Sequence, residues 1–211
     1  ETEAEAKDDA ASGDLIVVGY AQVGAESDWR TANTESFKST FTEENGYKLI
    51  FDDAQQKQEN QIKAIRSFIQ QDVDYIVVAP VVETGWEAVL QEAQEAGIPV
   101  ILSDRMMDVD ESLYECWVGG NFIKEGETAG NWLADYLKAQ GRDGEDINIV
   151  TLQGTIGASA QIGRTEGFDE AVEAHDNWTT LAQQSGEFTQ AKGQEVMESI
   201  LKQSGDDIDV V

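Results

Sequence analysis

Short apolar runs alternate with longer amphipathic stretches over the first half of the chain. The apolar runs predict strands over residues 15–20, 47–51, 75–79 and 100–102. The stretches between them predict helices over residues 29–44, 56–70 and 86–96, and in the second of these Ile62, Ile65 and Ile69 share one helical face. The strands at 16–18 and 76–78 are apolar on both faces, which is typical of parallel strands covered by helices on both sides. Repeated strand–helix units therefore predict an α/β fold with a right-handed, doubly wound parallel sheet.

The second half of the chain repeats this alternation. We predict strands over residues 147–152 and 179–183 and helices over residues 158–174 and 189–203. Residues 207–211 are typical of the start of another strand. Two complete strand–helix units bury little surface by themselves. We therefore expect the natural protein to continue for roughly another hundred residues, which would bring both halves to ordinary domain size.

The alternation and the glycines suggest how the chain divides. Residues 1–13 contain no large apolar side chain, so we expect a disordered leader there. Residues 14–120 are predicted to form an N-terminal lobe, and residues 121–211 part of a C-terminal lobe that begins with a helix over 123–137. Gly119 and Gly120 would let the chain turn between the lobes. The spacing equally allows an ordinary strand-to-helix loop within one domain.

Charge and rare residues exclude several classes of function. The chain has 42 acidic and 14 basic side chains and a formal net charge of −28, which argues against nucleic acid or anionic lipid as a partner. The acids are spread along the whole chain, so the charge is interpreted as a surface adaptation, for example to high salt. His175 is the one histidine and Cys116 the one cysteine, so the sequence favours neither a zinc site nor a Cys–His dyad. Cys116 lies in the apolar run 113–118, which predicts a buried, inert thiol. We expect no cofactor, no metal and no enzymatic activity.

Four loops that follow predicted strands carry the candidate functional residues, because ligands of open parallel α/β sheets bind beyond the carboxyl ends of the strands. The loops contain flat aromatic rings, carboxylates and guanidinium groups without a nucleophile–base pair. Aromatic rings suit the C–H faces of a sugar, and charged planar groups suit its hydroxyls. The candidates are Trp29 and Phe188 for the faces, and Asp104, Arg105, Arg30 and Arg164 for the hydroxyls.

Each candidate also has a purely structural interpretation. Trp29 could be a core residue at a helix start, Arg164 a solvated helix residue, and Asp104 with Arg105 a turn with a surface ion pair. Gly154 and Gly157 open a helix and could hold a phosphate, but the Gly-Lys-Ser/Thr end of a phosphate-binding loop and the three-glycine dinucleotide pattern are missing. We interpret these glycines as permitting a tight strand-to-helix turn.

Several long strings make the chain similar to a known family. They are QVGAESDWR at 22–30, QQKQENQIKAIRSF at 55–68, APVVETGW at 79–86, LQGTIGAS at 152–159, GRTEGF at 163–168 and SGEFTQAKG at 185–193. In order and spacing they resemble the periplasmic sugar-binding proteins of the ribose-binding type, and among these the galactofuranose-binding branch of ABC importers.

The resemblance implies two similar doubly wound lobes joined by a hinge, which close on a monosaccharide such as galactofuranose, ribose or fructose. It implies ligand contacts from Trp29, Arg30, Asp104, Arg105, Arg164 and Phe188, with Glu26 and Ser27 at the polar rim. It also implies a monomer, an ABC-transporter permease as partner, no nucleic-acid partner, and a periplasmic or membrane-anchored extracellular location. Asp28 stands where the family tends to have glycine, which leaves the identity of the sugar open.

Two other functions are alternatives to sugar transport. The same lobe pair serves as the sugar-sensing effector domain of LacI-type transcriptional regulators, but the acidic start of this chain contains no helix-turn-helix motif and the net charge opposes DNA. An enzyme of the doubly wound class would need a nucleophile–base pair or a cofactor motif, which this sequence does not supply.

Overall fold

The computed structural model describes residues 15–211, so the leader expected at 1–13 lies outside the described residues. Strands and α-helices alternate along the chain as the sequence predicts, except that only a 3₁₀ turn at Glu111–Leu113 separates the fourth strand from the fifth. The strands are β1 (Ile16–Gln22), β2 (Tyr47–Asp53), β3 (Tyr75–Val78), β4 (Val100–Ser103), β5 (Cys116–Val118), β6 (Ile147–Gln153) and β7 (Trp178–Ser185). The α-helices are α1 (Asp28–Thr40), α2 (Gln58–Gln70), α3 (Glu87–Glu95), α4 (Phe122–Ala139), α5 (Ser159–Glu173) and α6 (Gln190–Ser204).

The first five strands form one parallel sheet in the order β2-β1-β3-β4-β5. On one face, Phe68 of α2 and Leu90 of α3 pack with Ile76 and Leu102 of the sheet. On the other face, the ring of Tyr20 stacks on Phe37 of α1 with the ring centroids 4.0 Å apart. Helices therefore cover both faces, as expected for strands that are apolar on both sides, and the predicted doubly wound α/β fold is confirmed.

The second group of elements contains the parallel pair β6-β7 with α4, α5 and α6. Helices α4 and α5 pack closely because glycines lie at their contact. A Cβ on Gly126 would collide with the carbonyl group of Arg164, and one on Gly167 with the carbonyl oxygen of Ile123. Val210 forms an isolated parallel bridge with Ile149, so the strand predicted at 207–211 is present only as this single bridge.

Two details differ from the sequence-based expectation. The first helix ends at Thr40, four residues before its predicted end, and Glu43–Asn45 form a separate 3₁₀ turn. The side chain of Thr42 accepts a hydrogen bond from the backbone N–H of Asn45, so it begins a new turn instead of continuing the helix.

The prediction of a buried Cys116 thiol is wrong, because Cys116 is exposed. It lies on β5, the short strand at the edge of the sheet, and the buried residue of its apolar run is Leu113, in a preceding 3₁₀ turn. Within residues 15–211, no helix is both long enough and apolar enough to cross a bilayer.

Candidate ligand-binding site

The four loops chosen from the sequence meet around one cavity of about 210 Å³. Two of them follow β1 and β4 of the five-stranded sheet, and two follow β6 and β7 of the second sheet. The cavity is lined by Glu26, Ser27, Trp29, Arg30, Asp104, Arg105, Ala160, Arg164 and Phe188. All eight residues singled out from the sequence are in this set, and Ala160 is the one lining residue that the sequence did not suggest.

At the start of α1, the consecutive side chains of Trp29 and Arg30 lie in different environments, one exposed and one buried. Ser27 caps the helix, with its Oγ accepting a hydrogen bond from the backbone N–H of Arg30 at 3.2 Å. Trp29 is 59 % exposed, whereas Arg30 is only 2 % exposed. The structure therefore contradicts the interpretation of Trp29 as a core residue at a helix start.

Arg30 links the two acidic residues of the cavity wall. Its Nε donates to Glu26 Oε1 at 3.0 Å, and one terminal nitrogen donates to Asp104 Oδ2 at 2.7 Å. Burial works against the charge of Arg30, but the nearby carboxylates of Asp104 and Glu26 outweigh it, so the pKa of Arg30 lies above its usual value. The guanidinium group is thus fixed and charged although it is buried.

Arg105 is also buried, but its carboxylate partners are farther away than those of Arg30. One terminal nitrogen donates to the carbonyl of Val81 at 3.3 Å, and the other lies 3.6 Å from Glu26 Oε1. Burial, together with the neighbouring charge of Arg30, lowers the pKa of Arg105 to about 10. Because Arg105 is only 3 % exposed, the interpretation of residues 104 and 105 as a turn with a surface ion pair is wrong.

The turn that carries Asp104 is held by the neighbouring edge strand. Asp104 has a left-handed backbone conformation with φ of 64°. Its backbone N–H donates to the carbonyl of Val118 at 2.8 Å, and its own carbonyl accepts from the indole of Trp117 at 3.1 Å. Asp104 therefore points at the cavity from a rigid position.

The opposite wall comes from the elements around the second sheet. Arg164 of α5 donates through Nε to Glu125 at 2.8 Å, and both side chains are 46 % exposed. The ring of Phe188 lies 4.9 Å from the guanidinium carbon of Arg105, so an aromatic group of one wall contacts a cation of the other. Gly154 leaves the space that this ring occupies, since a Cβ at residue 154 would collide with it.

A buried glutamine that the sequence analysis missed supports this arrangement. The side-chain nitrogen of Gln61 donates to the carbonyls of Ala21 and Ala79 at 3.2 and 2.6 Å, and its oxygen accepts from the backbone N–H of Val81 at 2.9 Å. Gln61 is fully buried. It fixes the backbone at Val81, whose carbonyl accepts from Arg105. In the sequence, Gln61 is a polar residue next to the apolar Ile62, and this alone does not indicate that it is buried.

The chemistry of the cavity suits a neutral ring compound with many hydroxyl groups. Two aromatic rings, two carboxylates and three guanidinium groups line it, and each of these groups can contact either a C–H face or a hydroxyl. Within the described part of the chain, no group of three His, Cys, Asp or Glu side chains is arranged to hold a metal ion.

The sequence matches the family model described as periplasmic binding protein domain over residues 18–211. It is 51 % identical over 188 residues to the galactofuranose-binding protein YtfQ of Escherichia coli, a match that covers 89 % of this chain and 57 % of that protein. The chain thus spans little more than half of this curated relative.

Solved structures agree with this match. A protein from Mycobacterium smegmatis in complex with β-D-fucofuranose is 52 % identical with a TM-score of 0.87, covering 93 % of this chain and 64 % of that one. The binding protein of the arabinose ABC transporter from Shewanella sp. ANA-3, bound to L-arabinofuranose, is 49 % identical with a TM-score of 0.83, covering 90 % of this chain and 61 % of that one. The chain therefore belongs to the periplasmic binding protein domain family, a family of solute-binding proteins.

Proposed function

We propose that the protein captures a free monosaccharide in this cavity and delivers it to the permease of an ABC importer. The observation that carries the proposal is the convergence of eight residues, from four segments distant in sequence, on one cavity of about 210 Å³. Trp29 and Phe188 would contact the faces of the sugar ring, and the carboxylates and guanidinium groups would bind its hydroxyls.

The sugar is proposed to be a furanose or a related small sugar. Three relatives that are about half identical to this chain carry names or ligands that specify galactofuranose, fucofuranose and arabinofuranose. Ribose and fructose are further candidates, because more distant relatives are ribose and fructose import binding proteins.

The mechanism is ligand-driven closure of two lobes. Residues 14–120 would form one lobe and residues 121–211 would belong to the other, with the cavity between them. A sugar that contacts both walls binds the closed arrangement more tightly than the open one, so it shifts the equilibrium towards closure. The permease would then recognise the closed pair of surfaces. Such a protein acts outside the cytoplasm, in the periplasm or anchored to the outer face of a membrane, as a monomer and without catalysing a reaction.

A thermal-shift and calorimetric panel with the intact protein tests the proposal. D-galactose, L-arabinose, D-fucose, D-ribose and D-fructose are added separately, with a sugar alcohol as a comparison. A ligand that binds only the folded state raises the melting temperature, and at a hundred times its Kd it adds about 2.7 kcal/mol to the unfolding free energy. We expect at least one of the five sugars to give a clear shift and a one-to-one calorimetric isotherm. If none of them does, the proposal is wrong.

The regulator alternative is not favoured. Relatives about half identical to this chain include a galactofuranose-binding protein and the binding protein of an arabinose ABC transporter, and the net charge of −28 opposes binding to DNA.

A further inference from the structure

A second set of contacts joins the two walls next to the cavity. The backbone N–H of Glu83 donates to the carbonyl of Gly157 at 2.8 Å. The backbone N–H of Met106 donates to the side-chain oxygen of Ser159 at 2.9 Å. We call these four residues the latch. They are not among the residues that line the cavity, so the latch lies outside the proposed ligand site.

On the side of the five-stranded sheet, the two loops that carry Glu83 and Met106 are joined to each other. The backbone N–H of Asp108 donates to the carbonyl of Glu83 at 2.9 Å, which ties the loop after β3 to the loop after β4. On the other side, the latch is the start of α5. Gly157 has φ of 86°, and a Cβ there would lie 3.4 Å from a methyl carbon of Val82. That distance is an ordinary contact, so glycine is needed here for the left-handed backbone turn.

Of the four latch residues, only Ser159 makes its hydrogen bond through its side chain; the other three use backbone atoms. Ser159 is the first residue of α5 and only 6 % exposed, so its hydroxyl is enclosed between the two walls. When the walls separate, both Ser159 and the N–H of Met106 meet water instead. The bond therefore contributes to the closed arrangement and not to the open one.

We propose that Ser159 is a positioning residue that stabilises the closed arrangement without touching the sugar, and that it thereby sets how long the sugar is held. This inference rests on the proposed function, because it takes closure as the event that encloses the ligand. A neutral hydrogen bond of this kind corresponds to about a two- to tenfold change in affinity. Because the bond forms after the sugar has entered the open cleft, the change belongs to the dissociation rate.

The first test is the variant Ser159→Ala in the intact protein, with Ser199→Ala as a matched control, since Ser199 is an exposed serine on α6. Stopped-flow fluorescence with D-galactose and with L-arabinose gives both rate constants. We expect Ser159→Ala to dissociate from each sugar about two to ten times faster, with an unchanged association rate and an unchanged ratio of the two affinities. A changed ratio would overturn the inference, because Ser159 would then act on the sugar directly.

The second test needs no ligand. The exposed Cys116 is replaced by serine, and spin labels are attached to cysteines introduced at Glu35 of α1 and Glu195 of α6, which are 67 % and 68 % exposed. We expect Ser159→Ala to shift the label distances of the ligand-free protein away from the closed value, whereas Ser199→Ala leaves them unchanged.

The two tests separate the latch from the proposed function. Unchanged dissociation rates together with unchanged distances would overturn the role of Ser159. If the wild-type protein binds none of the five sugars of the thermal-shift panel, the proposed function fails, and the distance measurement alone decides whether the latch holds the walls together.

Discussion

Replacing Asp104 by asparagine removes one negative charge from the cavity and preserves the size of the side chain. Asparagine also tolerates the left-handed backbone at this position, where φ is 64°. Asp104 Oδ2 lies 2.7 Å from one nitrogen of Arg30 and 3.9 Å from Nε of Arg105, and its side chain is 16 % exposed. After the substitution, Glu26 alone balances two neighbouring guanidinium groups.

The substitution should weaken both stability and binding. Removing one partner of a buried ion pair lowers the unfolding free energy by about 3 kcal/mol at the lower end of the usual range. We expect this lower value because the side chain of Asp104 is partly exposed. A charge-assisted hydrogen bond to a sugar hydroxyl contributes about 1.5–3 kcal/mol, so the affinity should fall roughly ten- to hundredfold.

Urea unfolding measures the first effect, and calorimetric titration of the intact protein with its tightest sugar measures the second. Asp72→Asn is the matched control, because Asp72 is exposed and also has a positive φ, of 51°. If Asp104→Asn changes the unfolding free energy and the affinity no more than Asp72→Asn does, Asp104 is not the electrostatic centre of the site.

Three further predictions concern the aromatic walls and the surface charge. Trp29→Ala should abolish sugar binding in calorimetry without lowering the melting temperature, whereas Trp132→Ala, at an equally exposed tryptophan (59 % and 62 % exposed), should leave binding intact. Gly154→Ala should displace the ring of Phe188 and weaken the affinity, while Gly144→Ala, where an added Cβ meets no neighbouring atom, should not; equal affinities would contradict this role of the glycine. Raising NaCl from about 0.1 to 1 M shortens electrostatic screening from about 10 to 3 Å. Because the net charge is −28, the urea midpoint should rise with salt, and a fall would contradict dominant surface repulsion.

The order and type of the elements could be predicted from the sequence because burial imposes a periodicity on each segment. Ile62, Ile65 and Ile69 share one face of α2, and all three pack at the core beneath the sheet. The environment of Cys116 could not be predicted in the same way. Its exposure depends on β5 being the edge strand, and the strand order is set by contacts between distant segments.

The positions of the site residues could be predicted because they follow the carboxyl ends of strands in both sheets, where ligands of parallel α/β sheets bind. Their partners could not. Arg30 and Asp104 are 74 residues apart, and nothing local in either loop indicates that they pair. Gln61 was missed for a related reason. A glutamine on an amphipathic helix usually faces water, and its burial becomes evident only when the carbonyls of two strands are seen to lie beside it.

A crystal structure of the intact protein with the sugar that gives the largest melting shift tests the central claim most directly. The account predicts one sugar ring in the cavity, in contact with the indole of Trp29 and the phenyl ring of Phe188, with hydroxyls bound by Asp104 and at least one of the cavity arginines. A sugar bound elsewhere, or a cavity in which these side chains turn away from the ring, would contradict it.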